Sequence, residues 1–201
     1  MHDRIDLIQK AMDYVTGLMA ERLPATMTFH NMQHTLDVSD AVQLICTEEK
    51  LTPVECLVVQ MAAVFHDSGY LFTYSGHEEA SMGIAGTYLL QESWTAGMID
   101  EVVSCIAATK MPQNPKNRIQ EVICDADMYH FTRKDYPEYA ARLKTEWGHH
   151  LNKHADDLEW DKSNLAVLCS HRYFTKYAQT FWQPLKQQNI QLLQTQMTAR
   201  L

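Results

Sequence analysis

The chain has 201 residues, 46% of them apolar, which is enough for one ordinary globular core and leaves no composition typical of disorder. Its formal charge of −8 argues against a surface built to grip a nucleic-acid polymer, although a bound cation still allows a nucleotide substrate. No apolar run approaches membrane-span length, and the acids in Met1-His2-Asp3-Arg4-Ile5-Asp6 make a poor targeting peptide, so a cytoplasmic protein is expected.

Helical periodicity runs nearly throughout, and no segment alternates like a strand. Ile5, Ile8, Met12, Val15 and Met19 recur at helical steps, and Pro24 follows that stripe. Val38, Ala41, Val42 and Ile45 mark a second helix. Thr52-Pro53-Val54-Glu55 predicts a start with Thr as cap, Pro in the first turn and Glu three residues after the cap. The helix it opens is apolar on every side from Leu57 to Phe65, which predicts a central, buried position. Ser68-Gly69 ends it, and a loop runs to Gly76. Further helices are expected from about His77 to Leu90, along Ile99, Val102, Val103 and Ile106, along Val122, Ile123, Ala126 and His130, from Asp135-Tyr136-Pro137-Glu138, and along Ile190, Leu193, Met197 and Leu201. The breaks, clearest at Pro112-Gln113-Asn114-Pro115, are too closely spaced for two domains and a linker. One all-α domain over residues 1–201 is predicted. The five cysteines (46, 56, 105, 124 and 169) are scattered, mostly in apolar runs, without any C-x-x-C pair, and read as reduced core thiols. The eleven methionines read as core filling.

Four groups of residues carry chemistry. His30 and His34 are four residues apart, one turn if both are helical, and His34 continues the inward stripe of Val38 and Ala41. His66-Asp67 closes the most apolar helix, where an ionised carboxylate is expensive unless a cation compensates it. Asp127 follows Ile123 by four and sits on the inward edge of its helix. Asp125 is turned away by about 200°, at 100° per residue, which suits a supporting or surface role. His77-Glu78-Glu79 opens a helix, where acids belong for dipole reasons but a histidine is less expected. Glu146, His150 and His154 also stand at four-residue steps near His149 and Asp157, but their polar surroundings predict a solvated face.

In chain order these groups give H…HD…D. That pattern, with the stretches around it, resembles the HD superfamily of metal-dependent phosphohydrolases. Phe29-His30-Asn31-x-x-His34-x-x-Asp37-Val38 resembles the first metal motif of cyclic-nucleotide phosphodiesterases. Ala62-Ala63-Val64-Phe65-His66-Asp67-Ser68-Gly69-Tyr70 is similar to the HD stretch of bacterial members, Ile106-Ala107-Ala108-Thr109 to their I-x-A-T, and Cys124-Asp125-Ala126-Asp127-Met128 to their final D-A-D-L. His77-Glu78-Glu79-Ala80-Ser81 and Tyr173-Phe174-Thr175 resemble an uncharacterised bacterial branch. The likeness extends over about residues 29–175. It implies an HD-type helical bundle around a central divalent ion (Mn, Fe, Co, Ni, Zn or Mg) held by His34, His66, Asp67 and Asp127.

The departures bear on substrate. Ser68-Gly69-Tyr70-Leu71 replaces the Asp-His-Pro-Gly of the phosphodiesterases, Leu71-Phe72 does not supply the Glu-Asp of guanosine tetraphosphate hydrolases, and Thr109-Lys110 stands where HD-GYP proteins carry a second His pair. His77 remains a possible partial ligand of a second metal. The expected activity is hydrolysis of a phosphate ester of a nucleotide or other phosphorylated metabolite. His30 is the candidate general acid, and the resemblance to the phosphodiesterases implies the same role. Glu78 is the candidate for orienting water, with Glu79 as alternative. Asp67 is a catalytic candidate besides its ligand role, and Thr109, Lys110, Asp125 and Glu79 are candidates for supporting the site or touching substrate. Two other readings stand beside this one, a metal-containing sensor module without turnover and a plain helical interaction domain. Oligomeric state is open.

Overall fold

A computed structural model describes residues 2–200, with side chains from Arg4 to Arg200. Among the described residues nine α-helices run in order: α1 His2–Arg22, α2 Met32–Glu48, α3 Pro53–Phe65, α4 His77–Gln91, α5 Ala96–Ala108, α6 Arg118–Asp127, α7 Tyr136–Leu151, α8 Asp157–Ser170 and α9 Gln183–Ala199. No strand occurs among the described residues. Short 3₁₀ turns follow α3 (Ser68–Leu71) and α6 (Met128–Thr132), and a π turn at Ala178–Trp182 leads into α9. The chain is all-α, as its periodicity predicts. Leu201, expected on the last stripe, lies outside the described residues. Periodicity predicts no helix over Asp157–Ser170, whose apolar residues form no single stripe. That helix is set by its start, where Asp156 accepts from the Glu159 backbone N–H at 2.9 Å and Glu159 accepts from the Asp156 N–H.

The chain's centre is α3, and local chemistry explains why. Thr52 caps it, with the Glu55 carboxylate receiving the Thr52 N–H at 2.8 Å, and Pro53 fits the first turn. From Val58 to Phe65 every residue is buried, and α1, α2, α5 and α6 pack around it. At about 1.5–3 kcal/mol per fully buried large apolar side chain, Val58, Val59, Met61, Val64 and Phe65 make this helix a substantial contributor to core stability. Val38, Ala41, Val42 and Ile45 of α2 and Val122, Ile123 and Ala126 of α6 face the same core. In α1 the buried stripe is Ala11, Val15 and Met19, whereas Ile5 is 59% exposed beyond the edge of the core. A smaller cluster of Phe131, Tyr136, Ala140, Leu168, Ile190 and Leu193 ties α7, α8 and α9 together.

Gly69 decides how α4 meets α3. A Cβ there would stand 1.9 Å from the His77 carbonyl oxygen and 2.8 Å from the Ser81 N, so only glycine lets the start of α4 come so close. The Gly69 N–H donates to the Ser81 hydroxyl at 2.7 Å. Gly76, at φ 77°, supplies the left-handed residue that starts α4. The result sets His77 beside Asp67. Cys46, Cys105 and Cys124 are core thiols as expected, but Cys169 is exposed, because it lies on the outer face of α8. Among the described residues no helix is long and apolar enough to cross a membrane.

Candidate metal centre

His34 on α2, His66 at the end of α3 and Asp127 at the end of α6 bring donor atoms within 4.8 Å of one another, and this buried group can hold a metal ion. His34 Nε2 lies 3.3 Å from His66 Nε2 and 3.2 Å from Asp127 Oδ1. Asp67 completes the cluster, its Oδ2 at 3.4 Å from His34 Nε2 and 3.2 Å from His66 Nε2. Donors about 2.1 Å from one ion stand about 3.0–3.4 Å apart in octahedral or tetrahedral geometry, so these separations suit a shared cation.

The hydrogen bonds point the same way. His66 Nδ1–H donates to the Ala63 carbonyl at 2.8 Å, which leaves Nε2 as the lone-pair nitrogen facing the cluster. There it meets a second imidazole nitrogen and two carboxylate oxygens. Asp67 Oδ2 is a buried atom without a hydrogen-bond partner. Such a group repels itself unless positive charge lies between its members. In the chain alone protons answer that demand. Burial disfavours a charged His66, but the Asp67 and Asp127 carboxylates outweigh it and push its pKa up to about 9. Burial likewise opposes ionisation of Asp67 and Asp127, yet the imidazoles hold both carboxyls below the usual range. A divalent cation held there would supply the same positive charge.

His77 stands at the edge of this cluster. Its Nδ1–H donates to the Tyr74 carbonyl at 3.2 Å, and its Nε2 lies 3.6 Å from Asp67 Oδ1, the oxygen turned away from His34 and His66. Glu78 is largely buried, with Oε2 3.7 Å from His77 Nδ1. Glu79 is turned outward and bonded to the Lys110 ammonium. Lys110 is thus held at the surface, and Thr109 donates its hydroxyl to the Ile106 carbonyl of its own helix at 2.8 Å. Neither makes a hydrogen bond into the cluster.

Expectations about His30 and about the Glu146 helix face are corrected. It is not on a helix with His34, because α2 begins at Met32 with Asn31 as its cap, whose side chain accepts from the Gln33 N–H at 3.0 Å. A tight turn, with the Asn31 N–H donating to the Phe29 carbonyl at 2.9 Å, brings the His30 ring back to 5.8 Å from that of His34. Nor is Glu146 on a solvated face. Its side chain is fully buried. It accepts the Phe29 and His30 N–H groups at 2.8 and 3.1 Å, the Tyr74 hydroxyl at 2.9 Å, and the His30 Nδ1–H. Burial opposes a charged His30, but Glu146, with Asp67 beyond it, outweighs that and raises its pKa. His150, also placed on that solvated face, is half-buried and stacks on Tyr74 at 4.8 Å. Tyr70 lies between two imidazoles, 4.4 Å from the His30 ring and 3.8 Å from the His77 ring, with its hydroxyl 3.4 Å from His30 Nε2.

Asp125 is not a surface group. It is fully buried and accepts the Phe174 N–H, the Thr175 N–H and the Thr175 hydroxyl at 2.8, 2.8 and 2.7 Å. Burial raises its pKa to about 7 against those bonds. It ties segment 173–175 to α6, two residues before Asp127, and Tyr173 donates its hydroxyl to the Met128 carbonyl at 3.2 Å just after it. The missed contributors are Glu146, Tyr70 and Tyr74. A signal for Glu146 exists in the step of seven from Tyr139, which is buried on α7.

No family model matches the chain, and neither a curated protein nor a solved structure matches it.

Proposed function

We propose that the chain hydrolyses a phosphate ester with a divalent metal ion held by His34, His66, Asp67 and Asp127. The observation that carries this reading is the buried, partnerless Asp67 Oδ2 facing two imidazole nitrogens, and the H…HD…D order of the sequence supports it. An ion bound there would make water more acidic and draw charge from the phosphoryl oxygens. Mn, Fe, Co, Ni, Zn and Mg all suit a histidine and carboxylate set. His77, with Nε2 toward Asp67 Oδ1, is the candidate ligand of a second ion.

The chain's own groups divide the remaining work. His30 is the general acid. Its Nδ1–H is fixed on Glu146, so Nε2 is the nitrogen that gives a proton to the leaving oxygen as the ester P–O bond breaks. The Tyr70 hydroxyl lies beside this nitrogen, 3.4 Å away. Glu146 is a positioning residue: it holds the imidazole ring and the backbone of residues 29–30 and favours the cationic ring. Glu78, next to His77, is the carboxylate that orients the attacking water, in preference to the outward Glu79.

The test is a panel of nucleotides and simple phosphate esters assayed with each of these metals in turn. Metal-dependent release of phosphate or alcohol is expected. A chain that binds metal but turns over no ester is a sensor module instead.

A further inference from the structure

We infer that Tyr74 is a positioning residue for two histidines of the site at once: its hydroxyl fixes the carboxylate that holds His30, and its carbonyl fixes His77. What this does for the reaction rests on the phosphohydrolase reading; the hold on the two rings does not.

The first observation is how Tyr74 is anchored. Residues 72–76 join the turn Ser68–Leu71 to α4, and of these five only Tyr74 is not exposed. Its ring lies flat on His150 of α7, with centroids 4.8 Å apart and planes 5° apart. His150 Nε2 is in turn 2.9 Å from the Thr26 hydroxyl. Glu146 and His150 are one helical turn apart, so one face of α7 meets Tyr74 twice. The ring packs on His150, and the hydroxyl donates to Glu146 at 2.9 Å.

The second observation is what the two polar groups of Tyr74 hold. Glu146 presents Oε2 to the Phe29 and His30 backbone N–H groups. It presents Oε1 to the His30 ring Nδ1–H and to the Tyr74 hydroxyl. The backbone bonds anchor one carboxylate oxygen, and the Tyr74 hydroxyl anchors the other, which carries the His30 ring. The carbonyl of the same residue accepts the His77 Nδ1–H at 3.2 Å, which leaves Nε2 as the nitrogen 3.6 Å from Asp67 Oδ1. Between the two imidazoles lies the Tyr70 ring, 4.4 Å from His30 and 3.8 Å from His77. The three rings form one stack, held at the His77 end by Tyr74 directly and at the His30 end by Tyr74 through Glu146. A displacement of Tyr74 therefore reaches both ends. A tyrosine that only filled space beside α7 needs neither bond.

The experiment reads the ring N–H protons of His30 and His77 by nuclear magnetic resonance, on the full chain in magnesium with its histidine nitrogens labelled. The parent is compared with Tyr74→Phe, which keeps the stack on His150 and removes the hydroxyl. The control is Tyr136→Phe, which removes another buried tyrosine's hydroxyl bond, to Asn164. Tyr74→Phe should shift both ring resonances and speed solvent exchange of the His30 ring proton by on the order of tenfold, the worth of one hydrogen bond to a charged group. Tyr136→Phe should leave both rings as in the parent. With a nucleoside monophosphate, Tyr74→Phe should lower kcat about tenfold at unchanged KM. Ring resonances unmoved in Tyr74→Phe, a change at one ring alone, or the same change in Tyr136→Phe overturns the inference. An unchanged kcat beside shifted rings overturns the role in the reaction. A parent that turns over no ester overturns the hydrolase reading, and the spectra still decide whether Tyr74 holds the two rings.

Discussion

Glu146 and His30 are 116 residues apart in the chain, yet the carboxylate accepts both the His30 backbone N–H and its ring N–H from a fully buried position. One helix, α7, thereby sets the direction of a histidine that belongs to a loop before α2. The site is assembled at the meeting of α2, α3 and α6, and α7 closes it from the side.

Glu146→Gln preserves shape but removes the charge that favours cationic His30 and reverses one of its hydrogen-bonding edges. A hydrogen bond to a charged group is worth about 1.5–3 kcal/mol, so kcat should fall roughly 10- to 100-fold with metal content intact. Metal loss in this variant would mean that Glu146 supports the ligands and not the acid.

His30→Ala should keep its metal and lose about 10²–10⁴-fold in rate on a nucleoside monophosphate. The loss should shrink on a nitrophenyl ester, whose leaving group is a stable anion. His34→Ala should damage both substrates alike. Rates on the two esters, with metal measured on each preparation, check this. An equal loss on both esters in His30→Ala would remove the acid role.

The helices were legible because their determinants are local. The Thr52–Glu55 capping box, the all-round apolar α3 and the α2 stripe leading to His34 each sit within a few turns of sequence. His66-Asp67 was legible for a related reason, since a charge at the end of so apolar a helix needs compensation. Glu146 was misread, and Asp125 was left between a supporting and a surface role, because their partners are remote. Periodicity gives the face of α6 on which Asp125 lies but not that segment 173–175 returns to cover that face. The polar run after Glu146 hid that this one residue of α7 turns inward onto Phe29 and His30. His30 and His34 do share a site, but a capped turn brings them together where a helical step was expected.

Asp125 should matter for stability. Asp125→Ala strands the Phe174 and Thr175 N–H groups and the Thr175 hydroxyl in the interior, at a cost of at least about 3 kcal/mol. Thr175→Val removes only the hydroxyl, which also accepts the Ala178 N–H, and should cost about 1–2 kcal/mol. Urea unfolding of the two variants checks the order. An Asp125→Ala chain as stable as the parent would show that segment 173–175 is held by something else.

Lys186 should make stability depend on alkaline pH. Burial, with the nearby Arg172 charge, lowers its pKa from 10.5 to about 8. Between those values the unfolded chain binds the proton more strongly, so folding becomes more favourable as pH rises through that window. Lys186→Met lacks the titration, so parent stability should gain on the variant between about pH 8 and 10. Denaturation midpoints at both ends measure it, and a gap that stays constant or narrows would show that the ammonium is not strained by burial.

The central claim is that His34, His66, Asp67 and Asp127 hold a divalent ion, and elemental analysis of the freshly purified chain tests it most directly. The expected result is at least about one equivalent of a divalent transition metal or magnesium per chain, lost in both Asp67→Ala and Asp127→Ala because each removes one of the four ligands. A parent chain that carries no metal and gains no thermal stability in Mn, Fe, Co, Ni, Zn or Mg would contradict the claim, as would a full equivalent retained in either variant.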